Sequence, residues 1–205
     1  MIKPNYRFYR CCYRFLRASI GIFYRLEIIG KEYIPDNAAM VCSNHSSMVD
    51  PFLIAFAFGI NTQVHVIAKA EIFKIPVISQ ALQLMGMISV DRGVLDAASV
   101  KRTLSYLKSG EKVVIFPEGT RVSEDDSIAA KTGAVKLVER TGVPVIPLFV
   151  PRKKPLFSKV PIVIGEPYFI EKQAEKRSAS DYSLLSDVLM EKIKALNPDV
   201  KEQGA

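Results

Sequence analysis

The sequence predicts one α/β domain with a mostly parallel, mixed sheet flanked by helices, preceded by an N-terminal amphipathic helix. Three observations carry that prediction. Strand-length apolar runs alternate with helix-length patterns from about residue 39 to residue 150, as parallel strands joined by helical crossovers require. At 205 residues with 49% hydrophobic side chains, the chain can bury one sizeable core but hardly two. Residues 1–25 hold Lys3, Arg7, Arg10, Arg14, Arg17 and Arg25 and no acid, a composition unlike the rest.

That first segment is set apart by periodicity as well as charge. Arg7, Arg10, Arg14 and Arg17 recur at spacings of three and four from Pro4 to about Tyr24, and Tyr9, Tyr13, Leu16, Ile20 and Phe23 form a second stripe at the same period. Aromatic side chains suit the headgroup boundary of a bilayer and arginines suit anionic lipid, so residues 1–25 read as a basic amphipathic helix at a membrane interface. Packing of the same stripe on the chain's own domain is the alternative. Arginines interrupt any stretch that could be a signal-peptide core, and the uncharged runs 51–68 and 75–90 carry Asn61, Gln63, His65 and Pro76, so neither reads as a membrane span.

Residues 26–205 form the domain. Strands are expected at 26–30 and 39–43, on either side of the turn Ile34-Pro35-Asp36-Asn37. An apolar helix over 51–59 opens on Asp50-Pro51, a capping acid followed by proline at the first helical position. A strand at 63–68, a helix near 76–85 and a strand at 87–90 follow. Helices 94–109 and 130–141 stop at Gly110 and Gly142, and each is followed by a strand, 112–116 and 144–150. A strand from Val160 to Gly165 and a helix near 181–196 complete the domain.

Composition removes several functions. The net charge of +7 would suit nucleic acid, but outside residues 1–25 the basic and acidic side chains nearly balance and no base-stacking motif accompanies them, so no nucleic acid is expected as a partner. Three cysteines, with Cys11 and Cys12 adjacent and Cys42 inside an apolar strand, make neither a disulfide framework nor a C-x-x-C pair, and a reducing compartment is the simplest setting. Two histidines and no ligand cluster give no reason to expect a metal.

Three segments could carry chemistry. Asn44-His45-Ser46-Ser47-Met48-Val49-Asp50-Pro51 follows the strand at 39–43. On a continuous helix residues five apart lie ~140° from each other, so His45 and Asp50 meet only if His45 occupies the strand-to-helix loop and Asp50 opens the helix. At the carboxyl end of a parallel strand, an imidazole held by a carboxylate is placed to act as a general base. Asp50 as a plain helix cap stays open. No G-x-S-x-G elbow surrounds Ser43, Ser46 or Ser47, so direct attack by a substrate alcohol is simpler than an acyl-enzyme, with backbone N–H groups near the helix opening as candidates for the oxyanion. The second segment, Val113 to Arg121, runs from a strand into Pro117-Glu118-Gly119-Thr120-Arg121. There a hydroxyl and a planar cation suit a phosphate monoester and Glu118 could orient them, or the loop holds only an Arg–Glu ion pair. The third, Val90-Asp91-Arg92-Gly93, offers Arg92 as a second phosphate ligand or as half of a turn pair. Lys69 and Lys131 could add positive potential. Val143-Pro144-Val145-Ile146-Pro147 reads as a core strand at a sheet margin or as an apolar wall for an acyl chain.

Taken in order, His45 with Asp50, then Asp91-Arg92, then Phe116 to Arg121, then Val143 to Pro147, these segments resemble the glycerolipid acyltransferase family over roughly residues 25 to 170. H-x-x-x-x-D alone is a weak signal; joined to F-P-E-G-T-R some seventy residues later it is specific. The resemblance is strongest to the 1-acyl-sn-glycerol-3-phosphate acyltransferases. It implies His45 as general base and Asp50 as its orienting partner. It places Arg92, Glu118, Gly119, Thr120 and Arg121 at the glycerol-phosphate site, and Val143, Pro144, Val145, Ile146 and Pro147 along the acyl chain. The implied reaction moves an acyl group from an acyl-CoA or acyl carrier protein thioester to the sn-2 hydroxyl of a 1-acyl-glycerol-3-phosphate, with no further cofactor, at the cytoplasmic face of a membrane. Another lysophospholipid acceptor, or a noncatalytic lipid-binding role, is the alternative. The chain departs from the family at Val122, where serine is common, and at Ala130-Lys131-Thr132, where Phe-Lys is common.

Overall fold

A computed structural model describes residues 3–91, 96–123 and 128–199. Helix α1 (Tyr6–Phe23) leads into β1 (Arg25–Ile29) and β2 (Ala39–Ser43), then α2 (Asp50–Phe58) and β3 (Val64–Lys69). Next come α3 (Pro76–Leu84), β4 (Ile88–Val90), α4 (Ala97–Lys108), β5 (Lys112–Ile115) and α5 (Gly133–Thr141). The chain then forms β6 (Val145–Phe149), β7 (Lys159–Ile164) and α6 (Ala179–Lys194). Every element expected from the sequence is present with ends shifted by a few residues. Two short 3-10 turns, Lys31–Tyr33 and Ala70–Lys74, add to them.

The strands make one sheet in the order β1-β7-β6-β2-β5-β3-β4. All neighbours pair in parallel except β6 and β7, so β1 and β7 run against the other five. This is the mixed, mostly parallel sheet the alternation predicts. Its central strand β2 is buried along its whole length and alternates faces. Val41 packs with Leu53, Ile54 and Ile146 on the α1–α2 side, whereas Met40 and Cys42 pack with Val135, Val138 and Leu189 on the α5–α6 side. The carboxyl ends of β6, β2, β5, β3 and β4 therefore lie along one edge, where an α/β sheet puts its ligands.

The N-terminal helix is oriented differently from the lipid-facing stripe expected above. Tyr9 is buried, and Tyr13, Leu16 and Ile20 pack against the core. The Tyr13 ring meets Phe56 of α2 edge-on at 5.2 Å, and the hydroxyls of Tyr9 and Tyr13 donate to the carbonyls of Thr62 and Phe56. That stripe holds the helix to the domain, because its rings find more apolar partners on α2 than water offers. The side turned outward carries a second apolar row that the sequence reading left out: Cys11, Phe15, Ala18 and Ile22 at spacings of four, three and four, all exposed. Among the described residues, no helix is long and apolar enough to cross a membrane.

Candidate active site

The site forms where β2, β5 and β6 end. β2 continues into Asn44, whose side-chain amide bridges to β6: Nδ2 donates to the Val150 carbonyl at 2.7 Å, and the Val150 N–H donates to Oδ1 at 2.9 Å. This double bond fixes the start of the loop, and His45 follows. Its ring stacks on Phe116, at the end of β5, with centroids 4.1 Å apart and planes 19° apart. The His45 N–H donates to Glu118 Oε2 at 2.7 Å, and the His45 carbonyl accepts from the Val122 N–H at 2.8 Å. The F-P-E-G-T-R loop is thus the mould in which the histidine loop sets.

Asp50 meets His45 as the spacing requires: Oδ2 lies 3.0 Å from His45 Nδ1. It does so from the first residue of α2, not from the capping position, which Val49 occupies. Oδ2 also accepts the N–H groups of Ser46 and Ser47, at 2.7 and 2.8 Å, so the carboxylate closes the turn that precedes the helix. The other oxygen, Oδ1, faces the ammonium of Lys154 at 3.0 Å. Asp50 is fully buried and the Lys154 side chain is 4% exposed. Burial works to raise the Asp50 carboxyl, but the hydrogen bond to His45, the Lys154 charge and the two amides outweigh it and hold it below the usual carboxylate range. The carboxylate stays ionised. With Nδ1–H committed to it, the Nε2 lone pair of His45 is left to take a proton, and no described side chain hydrogen-bonds that nitrogen.

Lys154 and Arg152 complete the site and are not among the sequence candidates. Lys154 also donates to Ser46 Oγ at 2.9 Å, and Ser46 Oγ donates to the Arg152 carbonyl at 3.1 Å. Arg152 ion-pairs with Glu118 Oε1 and donates to the Val122 carbonyl at 2.8 Å. The signal that could have found them is the position of Pro151-Arg152-Lys153-Lys154 after a third parallel strand, the argument already applied to β2 and β5.

Glu118 is buried, with one oxygen on the His45 N–H and the other on Arg152, so it braces the two loops. The expected Arg–Glu pair exists, but with Arg152 in place of Arg121. Arg121 itself is exposed and makes no ion pair with any other described residue. Gly119 holds φ at +68°, which L side chains rarely adopt, so the loop needs glycine there. Thr120 is half-buried beside it. Arg92 lies outside the described residues. The amides of Ser46, Ser47 and Asp50 at the helix opening are already engaged and cannot serve an oxyanion. Val143, Pro144, Val145, Ile146 and Pro147 do not reach the His45 edge. Val145 pairs with Met40 and Pro147 with Cys42, whereas Ser43, two residues before His45, pairs with Leu148. Val145 and Ile146 are wholly buried in the two halves of the core, where they pack the sheet, whereas Val143 and Pro144 are half-buried.

The model of the acyltransferase family matches residues 25–150, the stretch that holds both His45 with Asp50 and the Glu118 loop. The chain belongs to the acyltransferase family. The acyltransferase is 31% identical over 195 residues to the 1-acyl-sn-glycerol-3-phosphate acyltransferase of Bacillus subtilis, an overlap covering 92% of this chain and 96% of that one. It is 36% identical over 141 residues to a chloroplastic enzyme of the same name from Arabidopsis thaliana, covering 65% of this chain and 38% of the plant protein, so it spans well under half of that relative. A crystal structure of the 1-acyl-sn-glycerophosphate acyltransferase PlsC from Thermotoga maritima matches the acyltransferase with a TM-score of 0.66 at 25% identity, over 94% of this chain and 80% of the other.

Proposed function

We propose that this acyltransferase moves a fatty acyl group from an acyl-CoA or acyl carrier protein thioester to the sn-2 hydroxyl of 1-acyl-glycerol-3-phosphate, giving phosphatidate. The observation that carries the reading is the 3.0 Å contact between His45 Nδ1 and a buried, ionised Asp50, which leaves Nε2 as the base. Nε2 takes the hydroxyl proton as the alcohol oxygen attacks the thioester carbonyl. The new C–O bond forms, the C–S bond breaks, and the sulfur departs as a thiolate that accepts a proton from the imidazolium or from water. A thiol with a pKa of ~8.5 leaves with little help. Asp50 holds the imidazolium throughout. Arg121, exposed in the Gly119-Thr120 loop, supports a phosphate-bearing acceptor. The basic face of α1 meets anionic lipid, so the enzyme works as a peripheral protein at the cytoplasmic face, where thioester donors are met.

Thiol release from acyl-CoA, followed with and without lysophosphatidate, tests the reading. His45→Ala is expected to lower acceptor-dependent release by at least about a hundredfold while lysolipid binding persists. An unchanged rate removes His45 as the base, and release that is independent of any lipid acceptor makes the chain a hydrolase.

A further inference from the structure

The loop that joins β6 to β7 does more than hold the site. Its first half carries Arg152 and Lys154, bound to Glu118 and Asp50. Its second half, Pro155-Leu156-Phe157, points away from the domain, with Leu156 60% and Phe157 67% exposed. Phe157 also has φ of +63°, the only positive φ at a non-glycine residue among the described ones. A bulky side chain is costly in that conformation, and glycine or asparagine would make the same turn with less strain. The turn is tied by the Phe157 N–H, which donates to the Phe23 carbonyl at 2.6 Å, and by the Ser158 N–H on the Pro155 carbonyl at 3.3 Å. Its ring lies against that of Phe23, at 5.8 Å between centroids, and Phe23 is itself exposed, so little burial rewards a phenyl side chain here.

Phe23 ends α1, whose outer row leads to it through Phe15 and Ile22, 70% and 68% exposed. The tip is therefore continuous with an apolar strip flanked by Arg14 and Arg17, on a helix without an acid. Apolar side chains in the open beside unopposed cations match one partner, the interface of an anionic bilayer. We propose that Leu156 and Phe157 form a second lipid contact, joined to the outer row of α1 through Phe23, which seats the acyltransferase on the membrane with its His45 edge toward the lipid. Phe157 is three residues from Lys154, and the loop leaves β6 at the edge where β2 delivers His45. A helix alone lets the domain pivot about its axis; a second contact off that axis fixes the approach. The inference rests on the reading of the acceptor as a membrane lipid, although the contact itself is a statement about surface chemistry.

Partition of the full chain onto equimolar phosphatidylglycerol–phosphatidylcholine vesicles measures it, by sedimentation and without substrate. Phe157→Asn, which suits the positive φ and is expected to melt no lower than the parent, should weaken partition by about tenfold, and Leu156→Ser with Phe157→Asn by more. Leu184→Ser, at an exposed apolar position on α6, should leave it unchanged. Partition unaffected by the tip substitutions, or lowered as much by Leu184→Ser, overturns the proposal. Failure of the enzymatic reading is a separate result: it shows as absence of acceptor-dependent thiol release by the unsubstituted chain, whatever its partition.

Discussion

Lys154 helps to keep Asp50 charged beside the His45 ring. Its ammonium lies 3.0 Å from the Asp50 oxygen that does not touch the ring, inside a site where the carboxylate is fully buried. A cation there works with the His45 hydrogen bond and the Ser46 and Ser47 amides to hold the Asp50 carboxyl below its usual range against the effect of burial. It also neutralises a buried charge that would otherwise stand alone when the ring is neutral. Lys154→Gln removes one of the interactions that hold the Asp50 carboxyl down, so Asp50 takes up a proton at higher pH and the acid limb of kcat/KM is expected to move upward. The plateau above that limb should approach the parent value, and Lys154→Arg should restore the original profile. A rate lowered equally at every pH would show that Lys154 only shapes the loop. The short-range features of this centre are legible in the sequence: His45, Asp50 and the Gly119 turn stand in motifs whose spacing implies their contact. Lys154 and Arg152 are not, because their roles depend on β6 lying beside β2, and sheet order is not written in any local pattern.

Among the elements, α1 shows the same limit. A period of three and four says that a helix is amphipathic without saying which side faces the protein, and this helix has two apolar rows, one through Tyr9, Tyr13, Leu16 and Ile20 and one through Phe15, Ala18 and Ile22. The aromatic row suggests lipid by composition, yet it is the row that finds the Phe56 ring and the carbonyls of Phe56 and Thr62. The strands are read well because glycines and prolines punctuate them, and the reversal of β1 and β7 is missed because an apolar run has no direction. The two rows of α1 make a separable pair of expectations. Tyr9→Ala removes a buried ring and is expected to cost about 3 kcal/mol or more, lowering the melting midpoint by roughly 10 °C. Phe15→Ala should change stability by no more than about 0.5 kcal/mol and instead weaken vesicle partition. Calorimetry and sedimentation on the two variants check it, and a large loss of stability in Phe15→Ala would mean the rows are assigned the wrong way round.

At the scale of the molecule, the proposed membrane contact would bring together the excess charge of α1, the exposed apolar loop tip and the edge that holds His45. Almost the whole excess of the net +7 charge belongs to the first 25 residues, while the remaining lysines and arginines are nearly balanced by acids, as in Lys159 with Glu27 and Arg177 with Glu139. On that proposal, long-range attraction to anionic lipid would come from α1, and contact at the loop tip from Leu156 and Phe157, which carry no charge. These two contributions respond oppositely to salt. At about 1 M salt the Debye length falls to about 3 Å, so the arginine contribution is screened while apolar insertion persists or strengthens. The parent chain is therefore expected to lose most, but not all, of its vesicle binding as salt rises, settling at a residual level that neutral phosphatidylcholine vesicles also support. In the Leu156→Ser, Phe157→Asn variant the residual level should drop severalfold while the salt-sensitive part keeps its slope, because no arginine has changed. A variant whose salt slope changes would mean that tip and helix do not contribute independently, and a parent whose binding vanishes altogether at high salt would mean that charge alone brings this acyltransferase to the membrane.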